Sequence, residues 1–282
     1  MLSWPLRAWR FFKDHPWNLG PAVVMAIAHG LALAAPTQPC EPRFLVLAGC
    51  LYLVFGFATT LYLHRHLTHR AFELAEPLRF LGAIAAVAGL GGDPVGWVGD
   101  HRHHHQLAET PEDVHSPRRV GVLRAHFGWM LREEDPAVLG TRHLAEDVRR
   151  DAYNRLLEHP EAALGVHLAA AALVYAWGGL PGLLWGFYLP IFVAHHVVWS
   201  VNSLAHVRWG GYRNHDTDDD SVNIPGWSLV ALGEGYHNNH HHVPRAARMG
   251  QRWFEVDPTA GLIWLLERLG LARQVAWGPE GA

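Results

Sequence analysis

The stretch Asp100-His101-Arg102-His103-His104-His105 places four histidines within five residues, directly after an apolar run of the chain. In a helix this stretch would bring His101, His104 and His105 onto one face, because residues three and four apart are helical neighbours. Two more histidine clusters stand far away along the chain, as His64-x-x-x-x-His69 and His237-x-x-His240-His241. Only a folded chain could bring the three clusters together, and we interpret them as one metal site.

The composition is typical of a protein that is part membrane and part polar cap. The 282 residues are 50% hydrophobic and 17% charged, and they include 13 tryptophans. The formal net charge of −3 gives no electrostatic support for a nucleic-acid partner. Cys40 and Cys50 would lie about 15 Å apart on one helix, at roughly 1.5 Å per residue. That separation excludes a disulfide between them.

Two apolar regions predict two membrane hairpins. Residues 44–63 carry no formal charge, and their length is close to the roughly 20 residues that a spanning helix needs. Residues 162–207 contain no Asp, Glu, Lys or Arg, and the sequence GGLPG at 178–182 interrupts this second region. We therefore expect an all-α membrane protein with four transmembrane helices in two hairpins, at residues 19–35, 44–63, 163–178 and 183–205.

The rest of the chain predicts a polar helical cap at one membrane surface, built from residues 64–161 and 206–282 of a single domain, 1–282. The apolar segment 78–92 is too short for a comfortable span, so we expect it to be interfacial or re-entrant. With two complete hairpins and no crossing at this segment, all three histidine clusters return to the same face of the membrane. The topology therefore supports a shared site.

The distribution of basic residues predicts which side of the membrane carries the cap. Of the 23 lysines and arginines, only Arg43 falls in a segment assigned to the far side, so both termini and the histidines should be cytoplasmic. Lys13 is the only lysine, and this arginine-rich composition suggests a bacterial inner membrane. Residues 1–18 are aromatic and basic without the apolar core of a signal peptide, so we expect them along the membrane interface.

Several other polar residues have an ordinary structural interpretation. Isolated histidines in apolar segments are more often hydrogen-bonded core residues than ligands. The acidic run 216–220 lacks the glycine and the distal glutamate of calcium loops. We expect His29 and His167 to be core or tunnel residues, His195 and His196 to line a tunnel or contact a helix, His66, His103 and His242 to be surplus, and residues 216–220 to form a solvated loop.

The number of candidate ligands indicates two metal ions. A structural zinc needs four ligands, whereas the three clusters supply eight histidines on their ligand faces and His206 would add a ninth. Imidazole suits iron, copper, zinc and nickel. The ligand type alone therefore does not choose the metal.

Four sequence boxes together resemble the membrane fatty acid desaturases of the stearoyl-CoA desaturase type. They are HRHLTH at 64–69, DHRHHH at 100–105, NSLAH at 202–206 and GEGYHNNHH at 233–241. The resemblance extends over nearly the whole chain, through RAHFGWML at 124–131 to WFEVDPT at 253–259. It implies two iron ions bound by His64, His69, His101, His104, His105, His206, His237, His240 and His241, with Asn202 reaching one iron through water.

The resemblance also implies a reaction, which is the O2-dependent insertion of a cis double bond into a long-chain acyl-CoA or acyl-lipid, with delta-9 as the expected position. A separate electron donor is expected, either a ferredoxin, a rubredoxin or a cytochrome b5-like protein, together with its reductase. Trp97 would lie near the acyl chain, and Asp100 would orient the ligands.

Glu133 and Glu134 stand where the family has a basic pair for the CoA phosphates, and Gly99 replaces another basic residue. The sequence therefore does not decide between acyl-CoA and acyl-lipid as the substrate.

Two alternatives remain at this point. A di-iron membrane hydroxylase of an alkyl or lipid substrate would use the same metal chemistry and would add oxygen to its product. A non-enzymatic metal transporter or sensor would place its ligands inside the spans. The position of the histidines at the ends of the spans disfavours that second alternative.

The assignment of helical faces predicts different outcomes for two neighbouring histidines. We expect His104→Ala to abolish turnover, because it removes a metal ligand, and His103→Ala to leave much of it. The measurement is the rate of product formation by each purified variant. An equal loss in both variants would show that the face assignment is wrong.

Overall fold

The computed structural model describes residues 18–110, 113, 115–131 and 141–278. Residues 1–17, which were expected at the membrane interface, and Glu133 and Glu134, which bear on the acyl carrier, lie outside the described residues. Helices dominate the described part, and strands β1 (Glu73–Leu74) and β2 (Ala272–Arg273) pair in an antiparallel ribbon. The predicted helical class is confirmed.

Thirteen helices are found in the described residues, with short turns of other helical types between them. In chain order they are α1 (Leu19–Leu33), α2 (Pro42–Thr68), α3 (Glu76–Ala88), α4 (Pro94–Leu107), α5 (Pro117–Val120), α6 (Val122–His126), α7 (Glu146–Arg149), α8 (Ala152–Leu157), α9 (Pro160–Pro181), α10 (Leu189–Leu204), α11 (Pro225–Val230), α12 (His237–His242) and α13 (Pro258–Arg268). Turns of 3-10 helix lie at Ala35–Thr37, Gly128–Leu131, Thr141–Ala145 and Arg208–Gly210. Two segments are π-helical: Ala58–Thr68, which is the C-terminal part of α2, and Gly182–Tyr188, which connects α9 to α10.

Two continuous helical stretches of the described chain are long and apolar enough to cross a membrane. They are Pro42–Thr68, with 27 residues, and Pro160–Leu204, with 45 residues. The helix α1 is apolar but has only 15 residues, fewer than the roughly 17–25 of a typical span. The four-span arrangement therefore stays a prediction, although helices occupy all four predicted segments.

The long stretch Pro160–Leu204 reverses its direction near its middle. Gly179 interrupts the helical geometry with a φ of 58°, a left-handed value that glycine adopts without steric cost. Beyond this point the chain packs back on itself, because His167 Nε2 lies 3.4 Å from the hydroxyl of Tyr188. The two arms form the second helical hairpin that the GGLPG sequence indicates.

The helix α3 ends among the long helices, where its last carbonyl groups lose their helical partners. His167 Nδ1 lies 2.8 Å from the carbonyl of Ala88, and His195 Nε2 lies 2.9 Å from that of Gly89. A carbonyl can only accept, so each imidazole donates its N–H. Such partners are needed where no water reaches the backbone. The expected helix contact of His195 is confirmed, as is the interpretation of His167 as a hydrogen-bonded core residue.

An arginine within the histidine box at 100–105 connects this box to the box at 64–69. Arg102 on α4 donates to the carbonyls of Leu67, at 2.8 Å, and Thr68, at 3.1 Å, which close the C-terminal end of α2. It also donates to Asp147 at 2.6 Å. Because exposed C-terminal carbonyls favour a cation, Arg102 fixes α4 against the end of α2. The sequence interpretation overlooked this role.

Two buried apolar clusters hold this frame together. One lies between α2, α3 and α13 and includes Tyr62 and Ile263, and the other lies between the long helices and includes Phe187 and Ile191. Close packing of α3 on α2 depends on Gly82, because a Cβ there would meet the ring of Tyr62 at 2.6 Å. The apolar contacts thus set the distance between the helices that carry the histidines.

The capping of α3 predicts the effect of a single substitution. His195→Leu keeps an apolar side chain but leaves the Gly89 carbonyl without its donor, which should cost about 1–3 kcal/mol. We expect a lower melting temperature in detergent. Val193→Ala, at a position that is 38% exposed on the same helix, should change it much less. Equal melting temperatures for the His195→Leu variant and the wild type would contradict this role.

Candidate metal centre

The nine predicted histidine ligands come together in two adjacent groups. The first cluster contains His64, His69, His101, His105 and His240. The second cluster contains His104, His206, His237 and His241. Within each cluster the candidate ligand atoms all lie within 4.8 Å of one another.

The spacing of the first histidine box is matched by an unusual winding of α2. His64 and His69 are five residues apart, so a regular α-helix would point them in different directions. The segment Ala58–Thr68 is instead π-helical, and the amide of His69 bonds to the carbonyl of His64 at 3.1 Å. A π-turn brings residues five apart into register and is common at functional sites. The H-x-x-x-x-H spacing is therefore the signature of this turn.

The other two boxes each serve both clusters. On α4, His101 and His105 belong to the first cluster and His104 to the second. On α12, His240 belongs to the first cluster and His237 to the second. Each short helix therefore lies between the two groups and holds them at a fixed separation. The sequence placed the three α4 histidines on one face but did not separate them into two groups.

The ring nitrogens point at one another at distances that suit a shared metal. His240 Nε2 lies 3.2 Å from that of His64 and 2.9 Å from that of His105. In the second cluster, His237 Nε2 lies 2.9 Å from that of His206 and 3.0 Å from that of His241. For a metal–nitrogen distance of about 2.0–2.1 Å, ligands at right angles are about 2.9–3.0 Å apart and tetrahedral ligands about 3.4 Å. The nitrogens in each cluster are therefore close enough to bind one metal ion together.

Buried carboxylates hold the outer nitrogen of several ligands. The Nδ1 atom of His64 lies 2.5 Å from Glu234, that of His104 lies 3.0 Å from Asp113, and that of His241 lies 2.9 Å from Asp219. A carboxylate at Nδ1 fixes the ring orientation and leaves Nε2 free for a metal. His206 Nδ1 makes a longer contact of 3.4 Å with Glu109.

The electrostatic environment of the site favours the neutral form of the imidazoles and the ionised form of the carboxylates. Burial, with the neighbouring imidazoles, lowers the pKa of His101, His105, His237 and His240 well below the ordinary value. Burial raises the pKa of Glu234, but its interactions with His64 and Arg65 outweigh this effect and hold that pKa below its ordinary value. Metal binding requires neutral imidazoles, so the environment prepares the ligands for it.

A buried arginine ties the first cluster to the C-terminal segment. Arg65 is 1% exposed and bonds to Glu234 at 3.1 Å and Asp257 at 2.9 Å. It also donates to the carbonyl of Ala247 at 2.8 Å. Because Glu234 bridges Arg65 and His64, a displacement of the C-terminal segment would reach a metal ligand directly.

The predicted partner of the ligands, Asp100, has a different contact. Its carboxylate accepts from the Thr141 hydroxyl at 2.6 Å, and burial raises the pKa of Asp100 to about 6. The helix turns this side chain away from the imidazoles. The sequence interpretation missed Glu234, although it stands three residues before His237, within the third box. It also missed Asp113.

The acidic run at residues 216–220 was expected to form a solvated loop. This prediction is wrong for two of its four aspartates. Asp219 and Asp220 are each 8% exposed, because Asp219 turns inward to His241 and Asp220 binds Arg208. Asp216 and Asp218 are exposed, as expected. The run combines inward and outward residues, which its composition alone does not reveal.

The remaining predicted site residues lie as follows. Trp97 stacks on His101, with ring centroids 5.1 Å apart, and it contacts His64 at 6.1 Å. Asn202 is half-buried on α10, one helical turn before His206, and its contact through water stays a prediction. In the described chain neither cluster includes His66, His103 or His242.

One further group adjoins the second cluster. His115 and Asp113 form a third potential metal-binding group with His104, and burial lowers the pKa of His115 to about 3. Asp113 is the carboxylate that orients His104. We therefore interpret this group as the outer layer of the second cluster. No pattern in the sequence indicates it separately.

The chain is similar to known desaturases over most of its length. The family model described as fatty acid desaturase matches residues 42–263. The icosanoyl-CoA 5-desaturase of Limnanthes douglasii is 36% identical over 271 residues, which cover 93% of this chain and 73% of that protein. The delta-9 acyl-lipid desaturase 1 of Arabidopsis thaliana is 35% identical over 258 residues, which cover 90% and 82%. The acyl-CoA C20 delta5-desaturase of Anemone leveillei is 39% identical over 251 residues, which cover 88% and 78%.

The contact of Glu234 with His64 predicts an effect on metal affinity. Glu234→Gln preserves the shape of the side chain but removes the charge that holds the His64 imidazole. We expect metal binding at the first cluster to weaken by roughly 10–100-fold, measured by competitive iron titration of the metal-free protein. Asp218→Asn, the same change at an exposed position, should leave the affinity unchanged. Equal affinities in the two variants would contradict the role of Glu234.

Proposed function

The chain belongs to the fatty acid desaturase family, and we propose that it uses two iron ions to introduce a cis double bond into a long-chain fatty acyl substrate. The observation that carries this proposal is the convergence of nine histidines in two adjacent clusters. An enzyme of this family is an oxidoreductase. Its reaction removes two hydrogens from adjacent methylene groups, consumes O2, two electrons and two protons, and releases two molecules of water.

The donor set supports iron as the metal. Imidazole suits iron as well as zinc, but a zinc site of a protein is usually tetrahedral with four ligands. The first cluster offers five histidines, one more than a tetrahedral zinc site uses. When bound, the two iron ions would supply the activation of O2 and the abstraction of hydrogen from the acyl chain.

The side chains of the protein supply positioning and a dry environment. His64, His104 and His240 are each at most 3% exposed, so the centre is shielded from bulk water. Glu234, Asp113 and Asp219 keep the proton of their histidine partners at Nδ1. Trp97 stacks on a ligand of the first cluster, and we propose that its indole forms one wall of the acyl-chain path. A rigid, water-excluding site of this kind confines the reaction to one position of the chain.

The acyl carrier and the double-bond position are the finer parts of the proposal. The relatives include proteins named as acyl-CoA and as acyl-lipid desaturases, with delta-5 and delta-9 in their names. We propose a long-chain acyl-CoA or acyl-lipid substrate and delta-9 chemistry. All of the similar proteins named above are desaturases, and this favours desaturation over hydroxylation and over metal transport.

The location in a membrane is also part of the proposal. The two apolar helical stretches of the described chain support membrane insertion, and the distribution of arginine supports a cytoplasmic site. We propose four spans, with the second pair formed by the two arms of Pro160–Leu204. Among the relatives, two Arabidopsis thaliana proteins are named as chloroplastic, so a bacterial inner membrane gains no support from them.

Product analysis tests the proposed function. We expect expression in a desaturase-deficient host to yield a monounsaturated fatty acid, detected by mass spectrometry as a loss of two hydrogens. The His64→Ala variant should yield none, and the His242→Ala variant, which loses a ring stacked on His215 at 3.8 Å, should retain most of the yield. A product that gains one oxygen would identify a hydroxylase. No product from correctly inserted, iron-loaded protein would refute both enzymatic functions.

A further inference from the structure

An open groove in the described surface leads to the second cluster. Its volume is about 510 Å³, and it is lined by Pro117, Arg118, Val122, His206, Val207, Arg208 and Asp220. His206 is the important member, because it forms part of the groove wall and also points its Nε2 atom into the second cluster, 2.9 Å from His237. The side chain of His206 is itself buried, so a molecule in this groove would be separated from a metal ion there by this one residue.

The described residues at the rim of the groove carry a net positive charge. The side chains of Arg118 and Arg208 are 68% and 63% exposed. Both contact Asp220, at 3.4 Å and 2.5 Å, and among the described residues Asp220 is the only acidic one that lines the groove. Two guanidinium groups against one carboxylate leave one positive charge. Because Asp220 is nearly buried, this positive charge faces the solvent.

The centre of the groove is apolar, with Pro117, Val122 and Val207 between the charged residues. An apolar centre with a polar, charged rim is the usual anatomy of a protein–protein interface. Complexes of electron-transfer proteins are small and weak, and complementary charges accelerate their formation. The groove therefore has the features of a docking surface for a redox partner.

We propose that this groove docks an acidic electron-transfer protein, which delivers the two electrons of the reaction through His206. The proposal rests on the proposed function, because only an O2-dependent oxidation needs the electrons. The donor is oxidised by one electron at each of two dockings, and the electrons complete the reduction of O2 to water. Electron tunnelling becomes steeply slower with distance, so a groove that a single residue separates from the second cluster is suited as an entry point.

The groove also lies on a different side of the centre from the proposed acyl path. Trp97 contacts His64 and His101 of the first cluster, whereas the groove reaches the second cluster through His206. The basic rim could also attract the phosphate of an acyl carrier. The separation of the two sides favours the redox partner, and the experiment distinguishes the two ligands.

The test compares charge reversal at the groove with charge reversal elsewhere. The wild type is assayed with a reduced [2Fe–2S] ferredoxin, a rubredoxin and the soluble domain of a cytochrome b5, and the donor that supports turnover is kept. We expect Arg118→Glu to raise the KM for this donor roughly tenfold at low salt, and Arg208→Gln to raise it less. The KM for the acyl substrate should not change, nor should the amount of product from a single turnover that O2 starts after the protein has been reduced anaerobically with dithionite and freed of the excess. Arg245→Glu, at an exposed arginine outside the groove, should leave all three values unchanged.

Docking is also measured without turnover, as the salt-dependent fluorescence anisotropy of each labelled donor on the iron-loaded protein. An unchanged affinity and KM for the donor in both groove variants would overturn the proposal. A higher KM for the acyl substrate alone would overturn it too and would assign the groove to the acyl carrier. So would a single turnover by the pre-reduced protein together with no turnover with any of the three donors. An absence of product even from the pre-reduced protein would refute the proposed function, while the anisotropy would still decide the docking.

Discussion

The structure depends on the burial of nine imidazoles whose ring nitrogens point at one another. Five such contacts between Nε2 atoms lie between 2.9 and 3.2 Å. Without a metal, some of these nitrogens would have no partner, and an unsatisfied buried polar group costs about 1–3 kcal/mol. Metal ions would turn this cost into a stabilising interaction. The rest of the fold can be understood as the frame that holds these nitrogens in place.

The frame is built in layers around the two clusters. The π-turn of α2 aligns His64 with His69, and the short helices α4 and α12 each contribute to both clusters. Outside them lie buried carboxylates, and Arg65 connects one of these carboxylates, Glu234, to Asp257 of the C-terminal segment. The contacts of these outer carboxylates are as specific as those of the histidines. Removal of one outer residue should therefore affect the metal centre itself.

The sequence predicted which histidines would come together, because histidines that bind a metal recur at short spacings along the chain. The carboxylates that contact these histidines were predicted poorly from the sequence. Asp113 and Asp219 are recognisable only once the fold places them beside His104 and His241, and single carboxylates carry no periodic pattern. Arg102 shows the same limit, since its role depends on the position of the end of α2. Interactions between distant segments need the tertiary structure.

The central claim is that two metal ions share a centre made of histidine alone in its inner layer. Anomalous diffraction at the iron absorption edge, from crystals of the iron-loaded protein, tests this claim most directly. The account predicts two peaks, one within bonding distance of the Nε2 atom of His240 and the other within bonding distance of that of His237. A single peak, or a peak only at the zinc edge, would contradict it.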